Sequence, residues 1–539
     1  MSKPLLILGA ALSAVIGSTA IASTAGKPVD GAQLLQRDEL AAPLALPNGG
    51  SRLFAIDVPV DARNVQVRVH AASPVGDGPA HGLGTMMLTV NADAPPTRAD
   101  TDCRAFLSGT QVQCGIASGV AARHYIRVDA GVTGVGGATL VATWEDDATA
   151  NAERYDDWYR SVTPQTWIDQ GADAQVVDKV LRRIERAKGP RRDAEQPDTI
   201  IAYGPGHWIH EWNEAGDKAL RQARRAANRG ERETAKADYL EAIHYFNIAS
   251  YPHLNHDAHA VAALEASQSA YREAAPFLTG TFKLLELEHD GIPFRAHLHV
   301  PDGQGPFPVL IKSPGSDIVK DIFYRNWERA LAPRGIAVLL LDMPGIGDSR
   351  GHVLTPNSDK LHVAAFKHLK RNAKAIDPRL DGSRIAVEGA SFGGHAAGRF
   401  FLRRDVGAVG VVSVCGPVDH VFRKSAQGYE AMPRMTMDAV RSRLGVAPDA
   451  SWDVLAKQMN RFALGPAGQG LLPAATPSTT PLLAIGTTDD PVAPLEDVAM
   501  LADASTRADL RIFDIDGHCP NRVARDAIVA DWLEDLFAK

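Results

Sequence analysis

The sequence predicts an α/β fold: a mostly parallel sheet with helices on both faces, preceded by an all-α region and, before that, an antiparallel β-sandwich. Three observations carry this. The apolar residues recur every second position up to about residue 148, every three to four positions from 149 to 278, and in strand–helix–strand alternation from 279 on. Helical stretches separate most of the later apolar runs, as parallel crossovers require. One of those runs, Ile385-Ala386-Val387-Glu388, leads directly into Gly389-Ala390-Ser391-Phe392-Gly393.

A chain of 539 residues is too long for one core. A net charge of −7, with no long Lys/Arg block, argues against nucleic acid as the main partner. At the N-terminus, Lys3 is followed by an apolar stretch from Leu5 to about Ile16 and then by Ala20-Ile21-Ala22. This reads as a secretory signal peptide over residues 1–22. The stretch is short for a bilayer span, and no later segment is long and apolar enough to be one. The expected product is periplasmic or secreted, with no integral membrane segment after signal removal. Four cysteines suit that compartment. Cys103 and Cys114 are close enough in sequence for a local disulfide. Cys415 and Cys519 should both sit near the top of the catalytic sheet, either bridged or as two packed thiols. No Cys-x-x-Cys pair suggests a zinc cage.

Residues 28–148 are read as the β-sandwich, from alternating runs such as Val65–Val69, Met86–Val90, Tyr125–Asp129 and Ala138–Ala142 between Gly, Pro and Asp-rich turns. The run His124–Gly131 and the strand ending at Trp144 resemble the jelly-roll modules of the pre-peptidase C-terminal type. Residues 149–278 form the helical domain. Val176, Val177, Val180, Leu181 and Ile184 mark one helical face, closed by Gly189-Pro190. A second helix runs from Ala235 to Ile248 and ends near Tyr251-Pro252. Residues 279–539 form the catalytic domain, with strands expected at Leu284–Leu287, Gly291–Val300, Val309–Ile311, Val338–Asp342, Ile385–Glu388, Val409–Val414, Leu482–Ile485 and Leu510–Phe513. A helical cap is expected at about 417–475, holding Met432, Met435, Met437 and Met459. These flexible side chains suit either an adaptable apolar wall or the cap's own core.

A strand ending in Gly-x-Ser-x-Gly and opening into a helix is the nucleophile elbow of the α/β-hydrolases. The turn is so tight that a Cβ at Gly389 or Gly393 would collide with neighbouring backbone. Serine is a poor nucleophile at neutral pH and needs a base, which in turn needs an orienting carboxylate. Both follow in the order this fold uses. After the strand at Leu482 comes Thr487-Thr488-Asp489-Asp490-Pro491-Val492-Ala493-Pro494, and after Leu510–Phe513 comes Gly517-His518. His518 is the expected base. Asp489 and Asp490 compete for the acid; the Asp-Pro turn favours Asp490, because it fixes the chain as it leaves the strand. The oxyanion hole is expected from the N–H groups of Phe392 and Ser316, the latter in Lys312-Ser313-Pro314-Gly315-Ser316-Asp317. Ser316 or Asp317 also suits capping of the next helix. Asp342-Met343-Pro344-Gly345-Ile346-Gly347-Asp348-Ser349 is given a structural role. His253, His256 and His259, and likewise His207 and His210, lack partners that would complete a metal site, and no metal or organic cofactor is implied. His395, one turn after Ser391, is expected to pack in the elbow helix. Tyr203, Trp208 and Trp212 are expected in packing.

From about Ala242 to the C-terminus the chain resembles the FrsA-like esterase family. The residues that carry this are Ile248–Leu254, Arg334-Gly335-Ile336-Ala337-Val338 with Asp342-Met343-Pro344, Cys415-Gly416-Pro417-Val418, and Asp490–Asp497. It is also similar to 2,6-dihydroxypseudooxynicotine hydrolase-type enzymes, which share a helical N-terminal domain. The resemblance implies Asp490 over Asp489 and a small-molecule ester substrate. The signal peptide and the β-sandwich are additions to the family pattern. The function expected is ester hydrolysis by Ser391, His518 and Asp490. Amide or C–C hydrolysis by the same residues, or a non-catalytic binding protein on a degenerate hydrolase domain, are the alternatives.

Overall fold

The computed structural model describes residues 28–538 apart from 30, 48, 60–61, 71–85, 98–100, 107–110, 117–121, 131–134, 146–154, 404 and 521. The expected signal peptide lies outside the described residues. The chain forms two compact units, one of residues up to Leu35 with Leu44–Ala138, the other of Gln36–Pro43 with Thr139–Lys539.

The first unit is all β. Its strands are Ala32–Leu35 (β1), the latter part of Glu39–Leu46 (β2), Ser51–Val58 (β3), Arg63–His70 (β4), Met87–Ala92 (β5), Cys103–Phe106 (β6), Gln111–Ile116 (β7), Ala122–Asp129 (β8) and the start of Val135–Glu145 (β9). One sheet runs in the order β1-β3-β8-β5-β6. Strand β4 pairs antiparallel with β7, from Val65 opposite Ile116 to His70 opposite Gln111. Alternation explains the layering: Val65, Val67 and Val69 are buried on one side, and Leu88, Val90, Ile126 and Val128 on the facing sheet. A disulfide joins Cys103 on β6 to Cys114 on β7, Cα atoms 5.9 Å apart.

The second unit begins with helices Pro164–Asp169 (α1), Ala174–Arg186 (α2), Trp208–Asn228 (α3), Arg232–Ser250 (α4) and Ala258–Ala274 (α5). Asp173 caps α2 by accepting the N–H groups of Gln175 and Val176, and α2 buries Val177, Val180, Leu181 and Ile184. Helix α4 packs between α3 and α5, so every residue from Ala242 to Ser250 is buried. Trp208 and Trp212 are core residues, and the Trp208 indole N–H donates to the carbonyl of Ile248 at 2.7 Å. Tyr203 is instead exposed and stacks on His259 at 4.0 Å.

The catalytic sheet follows: Thr281–His289 (β10), Ile292–Val300 (β11), Phe307–Ser313 (β12), Ala337–Leu341 (β13), helix Lys360–Ile376 (α6), Leu380–Ala390 (β14), helix Phe392–Phe401 (α7) and Gly410–Val414 (β15). Helices Ala426–Glu430 (α8), Arg434–Leu444 (α9) and Trp452–Met459 (α10) build the cap. Then come Leu482–Asp489 (β16), helix Leu495–Ala502 (α11), Ala508–Asp516 (β17) and helix Arg522–Phe537 (α12). The order is β10-β11-β13-β12-β14-β15-β16-β17. Strands β12 to β17 are parallel where they pair, while β10 and β11 form an antiparallel hairpin that pairs antiparallel with β13. Strands β12, β13 and β15 are buried along their whole length, as a sheet covered on both faces demands. Beside β17 the sheet continues with β2, where Glu39 and Leu40 lie antiparallel opposite Phe513 and Ile512.

Met437 and Met459 are buried in a cluster with Phe392, Phe422 and Phe462, Met432 packs half-buried against it, and Met435 is buried as well, so the cap methionines are used in packing rather than as a free wall.

Candidate active site

The elbow forms because two glycines let backbone cross backbone. A Cβ on Gly389 would lie 1.9 Å from the carbonyl oxygen of Gly393, and one on Gly393 would lie 2.3 Å from that of Pro314. Between them Ser391 takes φ 56° and ψ −124°, a strained conformation for a residue with a side chain. Its N–H is held by the carbonyl of Val414 at 2.9 Å. The hydroxyl is thereby lifted off the carboxyl end of β14, at the start of α7.

Three side chains from three loops meet there. The Ser391 hydroxyl is 2.7 Å from Nε2 of His518. Nδ1 of His518 lies 2.9 and 2.8 Å from the two carboxylate oxygens of Asp490. An ionised carboxylate only accepts, so Nδ1 carries the proton and Nε2 turns its lone pair to the serine. Asp490 is buried, and one of its oxygens also accepts the N–H groups of Val492 and Ala493 at 2.7 and 2.9 Å. Burial pushes its pKa up, but the hydrogen bond and charge of His518 and these two N–H groups outweigh it and hold the carboxyl below its usual value. Asp489 ends β16 with its side chain exposed, and its carbonyl accepts the N–H of Gly517 at 3.3 Å.

The loop after β12 presses against Ser391. A Cβ on Gly315 would sit 3.0 Å from Cβ and 3.2 Å from Oγ of Ser391. Ser316, next along, is buried. Phe392 is the first residue of α7, where backbone N–H groups have no acceptor within the helix. Neither Ser316 nor Asp317 caps a helix. The next helical turn starts at Lys320 behind Val319 and has no side-chain cap. Its lysine explains the Asp342 loop. Asp342 accepts from the Lys320 backbone at 2.8 Å, from its ammonium at 3.0 Å and from the Asp348 N–H at 2.9 Å.

Sequence reasoning missed Arg443. It reaches out of cap helix α9, fully buried, and donates to backbone carbonyls only a few residues from the site. Nε bonds Ser316 at 2.7 Å, Nη1 bonds Gly345 at 2.9 Å, and Nη2 bonds Pro252 and His253 at 2.7 Å each. Burial lowers its pKa to about 9 against the pull of Asp317 and Asp342. Charge pattern gave no sign of it, since one of three arginines in a short helix reads as surface. Tyr251, half-buried, donates to Asp317 at 3.3 Å. His395 packs in the elbow helix between the Ser358 hydroxyl at 2.8 Å and the Phe462 carbonyl at 2.9 Å. His253 is buried against the Ser250 hydroxyl at 2.8 Å.

Cys415 and Cys519 are bridged, with Cα atoms 5.2 Å apart. The sequence left this pairing open.

The sequence profile of the family described as "Esterase FrsA-like" matches residues 139–538. The chain belongs to this family. Esterase FrsA of Escherichia coli (strain K12) is 34% identical over 380 residues, covering 70% of this chain and 88% of that protein. Esterase FrsA of Escherichia fergusonii is 34% identical over 359 residues, covering 66% of this chain and 83% of that protein. Among solved structures, a 2,6-dihydroxy-pseudo-oxynicotine hydrolase superposes with a TM-score of 0.53 at 19% identity, covering 69% of this chain and 95% of that one. AbyA5 superposes with a TM-score of 0.51 at 22% identity, covering 65% and 96%. At these identities the structural likeness shows the fold, that of the α/β-hydrolases. The FrsA-like match begins at residue 139, inside β9. As a member of this family the chain is a hydrolase.

Proposed function

We propose that this FrsA-like protein is an exported serine hydrolase that cleaves small-molecule carboxylic esters through an acyl-enzyme. The observation that carries the reading is the unbroken hydrogen-bond chain from Ser391 through His518 to Asp490. In this reading Ser391 attacks the acyl carbonyl as its proton passes to Nε2. The Nδ1 proton stays on Asp490's hydrogen bond, and the carboxylate stabilises the imidazolium. The N–H groups of Phe392 and Ser316 receive the oxyanion, and losing either should raise the barrier by about 3–4 kcal/mol. Nε2 then protonates the departing alcohol, and a water deprotonated by the same nitrogen releases the acid. These steps call for no metal or organic cofactor.

Export is supported by the signal-like residues 1–22 and by the pairing of all four cysteines in disulfides. No described helix is long and apolar enough to cross a membrane.

The test is turnover of p-nitrophenyl esters of graded acyl length, with Ser391→Ala as control, beside labelling by a fluorophosphonate. Turnover lost in the variant, with the label mapped to Ser391, is the expected result. Release of free amine from peptide substrates would redirect the reading to amide cleavage. Neither labelling nor turnover in the wild type would end it. N-terminal sequencing of the protein from cell fractions tests export, with a mature chain beginning after Ala22 expected.

A further inference from the structure

We propose that the Cys415–Cys519 disulfide is a positioning device that holds His518 in register with Ser391, so that activity depends on the oxidised state of this one bond; the inference rests on the hydrolase reading above. Cys519 is the residue after His518, and one imidazole nitrogen and the two sulfurs lie within 4.8 Å of one another. His518 stands between two residues in the left-handed region, Gly517 at φ 103° and Cys519 at φ 70°. For a cysteine that conformation is strained and persists only where the surroundings impose it. Cys415 shares the strain at φ 41°.

The other end of the bond is fixed to both remaining members of the site. The Cys415 N–H donates to the carbonyl of Ile485 at 2.6 Å, on the strand whose end carries Asp490. Val414, its neighbour, accepts the N–H of Ser391 at 2.9 Å. One covalent link therefore ties the histidine loop to the strand that anchors the nucleophile's own backbone. Among the described residues, the hydrogen bonds that hold the backbone of Gly517 are its N–H to the Asp489 carbonyl at 3.3 Å and its carbonyl to the Thr487 hydroxyl at 2.9 Å. They fix the residue before His518, and the disulfide fixes the residue after it. Without the bond, the strained turn at Cys519 loses what imposes it, and the imidazole loses one of its two flanking restraints.

Reduction by a dithiol is a two-electron exchange: the S–S bond breaks, two thiols form, and the reductant closes to its cyclic disulfide. Misplacement of a catalytic group by about 1 Å suffices to lower turnover about a hundredfold.

The experiment uses the full chain, with disulfides mapped by peptide mass spectrometry. Ester turnover is measured before and after dithiothreitol and after reoxidation, in the wild type, in Cys415→Ala/Cys519→Ala and in Cys103→Ala/Cys114→Ala. Alongside, the far-downfield proton resonance of a histidine N–H held by a carboxylate is followed, assigned by its loss in His518→Gln. Reduction should lower wild-type kcat about tenfold or more, with KM within about twofold, reversibly. Cys103→Ala/Cys114→Ala should keep that response, and Cys415→Ala/Cys519→Ala should be slow and indifferent to the reductant. The resonance should broaden or vanish in each slow form while the thermal melt of the unit stays cooperative. Equal kcat in oxidised and reduced protein, full kcat in Cys415→Ala/Cys519→Ala, or a resonance untouched by reduction would overturn the proposal. Absence of turnover in the oxidised wild type, with the resonance still sensitive to reduction, would instead sink the hydrolase reading and leave the positioning role standing.

Discussion

Nε of Arg443 donates to the carbonyl of Ser316 at 2.7 Å, across 127 positions of chain. A cap helix thus holds the loop that faces Ser391, and the same guanidinium holds the Gly345 loop and the turn at Pro252-His253. Arg443→Met would strand the buried carbonyls of Ser316, Pro252 and His253, while that of Gly345 keeps the Asn255 amide at 2.8 Å. A stability loss of about 3–5 kcal/mol is expected in denaturant melts, because stranded buried acceptors are more costly than a missing favourable pair. Arg443→Lys keeps a charge but not the fork. It should recover only part of the loss, with ester turnover reduced more than the melt.

The choice between the two acids can be tested directly. Asp490 contacts both the imidazole and two backbone N–H groups, whereas Asp489 is exposed. Asp490→Asn should lower kcat about 10³–10⁴-fold by stabilising the wrong imidazole tautomer. Asp489→Asn should stay within about twofold of wild type, as exposed substitutions usually do. The reverse ranking in steady-state kinetics would reassign the acid.

Gly315 lies so close to Ser391 that a methyl there would touch Cβ at 3.0 Å and Oγ at 3.2 Å. Gly315→Ala should cut kcat/KM about a hundredfold by displacing the hydroxyl, with a near-native melt. Gly389→Ala places its methyl 1.9 Å from a carbonyl oxygen and should instead prevent the elbow from forming. Soluble yield and circular dichroism separate the two outcomes.

Glu241 sets a pH dependence of stability remote from the site. Burial first, then the charges of Asp173 and Asp238, raise its pKa to about 7 from the model-compound value of 4.5. The folded state therefore holds a proton that the unfolded chain has already lost between those values. Stability falls as pH rises through that window. Glu241→Gln should be nearly neutral at pH 4 and stabilise by about 1–2 kcal/mol at pH 8, after allowance for solvent screening. Chemical denaturation at the two pH values checks the sign.

Local patterns made much of this readable. Gly389-x-Ser391-x-Gly393 announced its own geometry because the turn is sterically possible only with glycine at both ends. The stripe of Val177, Val180, Leu181 and Ile184 appeared as a buried face because large apolar side chains recur at helical spacing. Helices α3 and α5 left a weaker trace, since alanines supply much of their packing: Ala215, Ala219, Ala223 and Ala226 in one, Ala260, Ala263, Ala270 and Ala274 in the other. Contacts between distant segments were legible only where the strand order of the fold announced them, as for Ser391, Asp490 and His518. Neither the Cys415–Cys519 bond nor the four carbonyls around Arg443 follows from any spacing, because each depends on how finished elements meet.

The partners that meet beside β17 are made far apart in synthesis, Glu39 and Arg511 being 472 positions from one another. Glu39, wholly buried and ion-paired to Arg511 at 2.8 Å, waits beside Leu40 for β17, whose residues leave the ribosome long after it. Until then the growing polypeptide has no completed border on that side, and an unpaired strand rim is open to stray pairing. The export proposed above would thread the chain unfolded through a channel, and this separation keeps the pair from closing until the later of its two strands has followed the first.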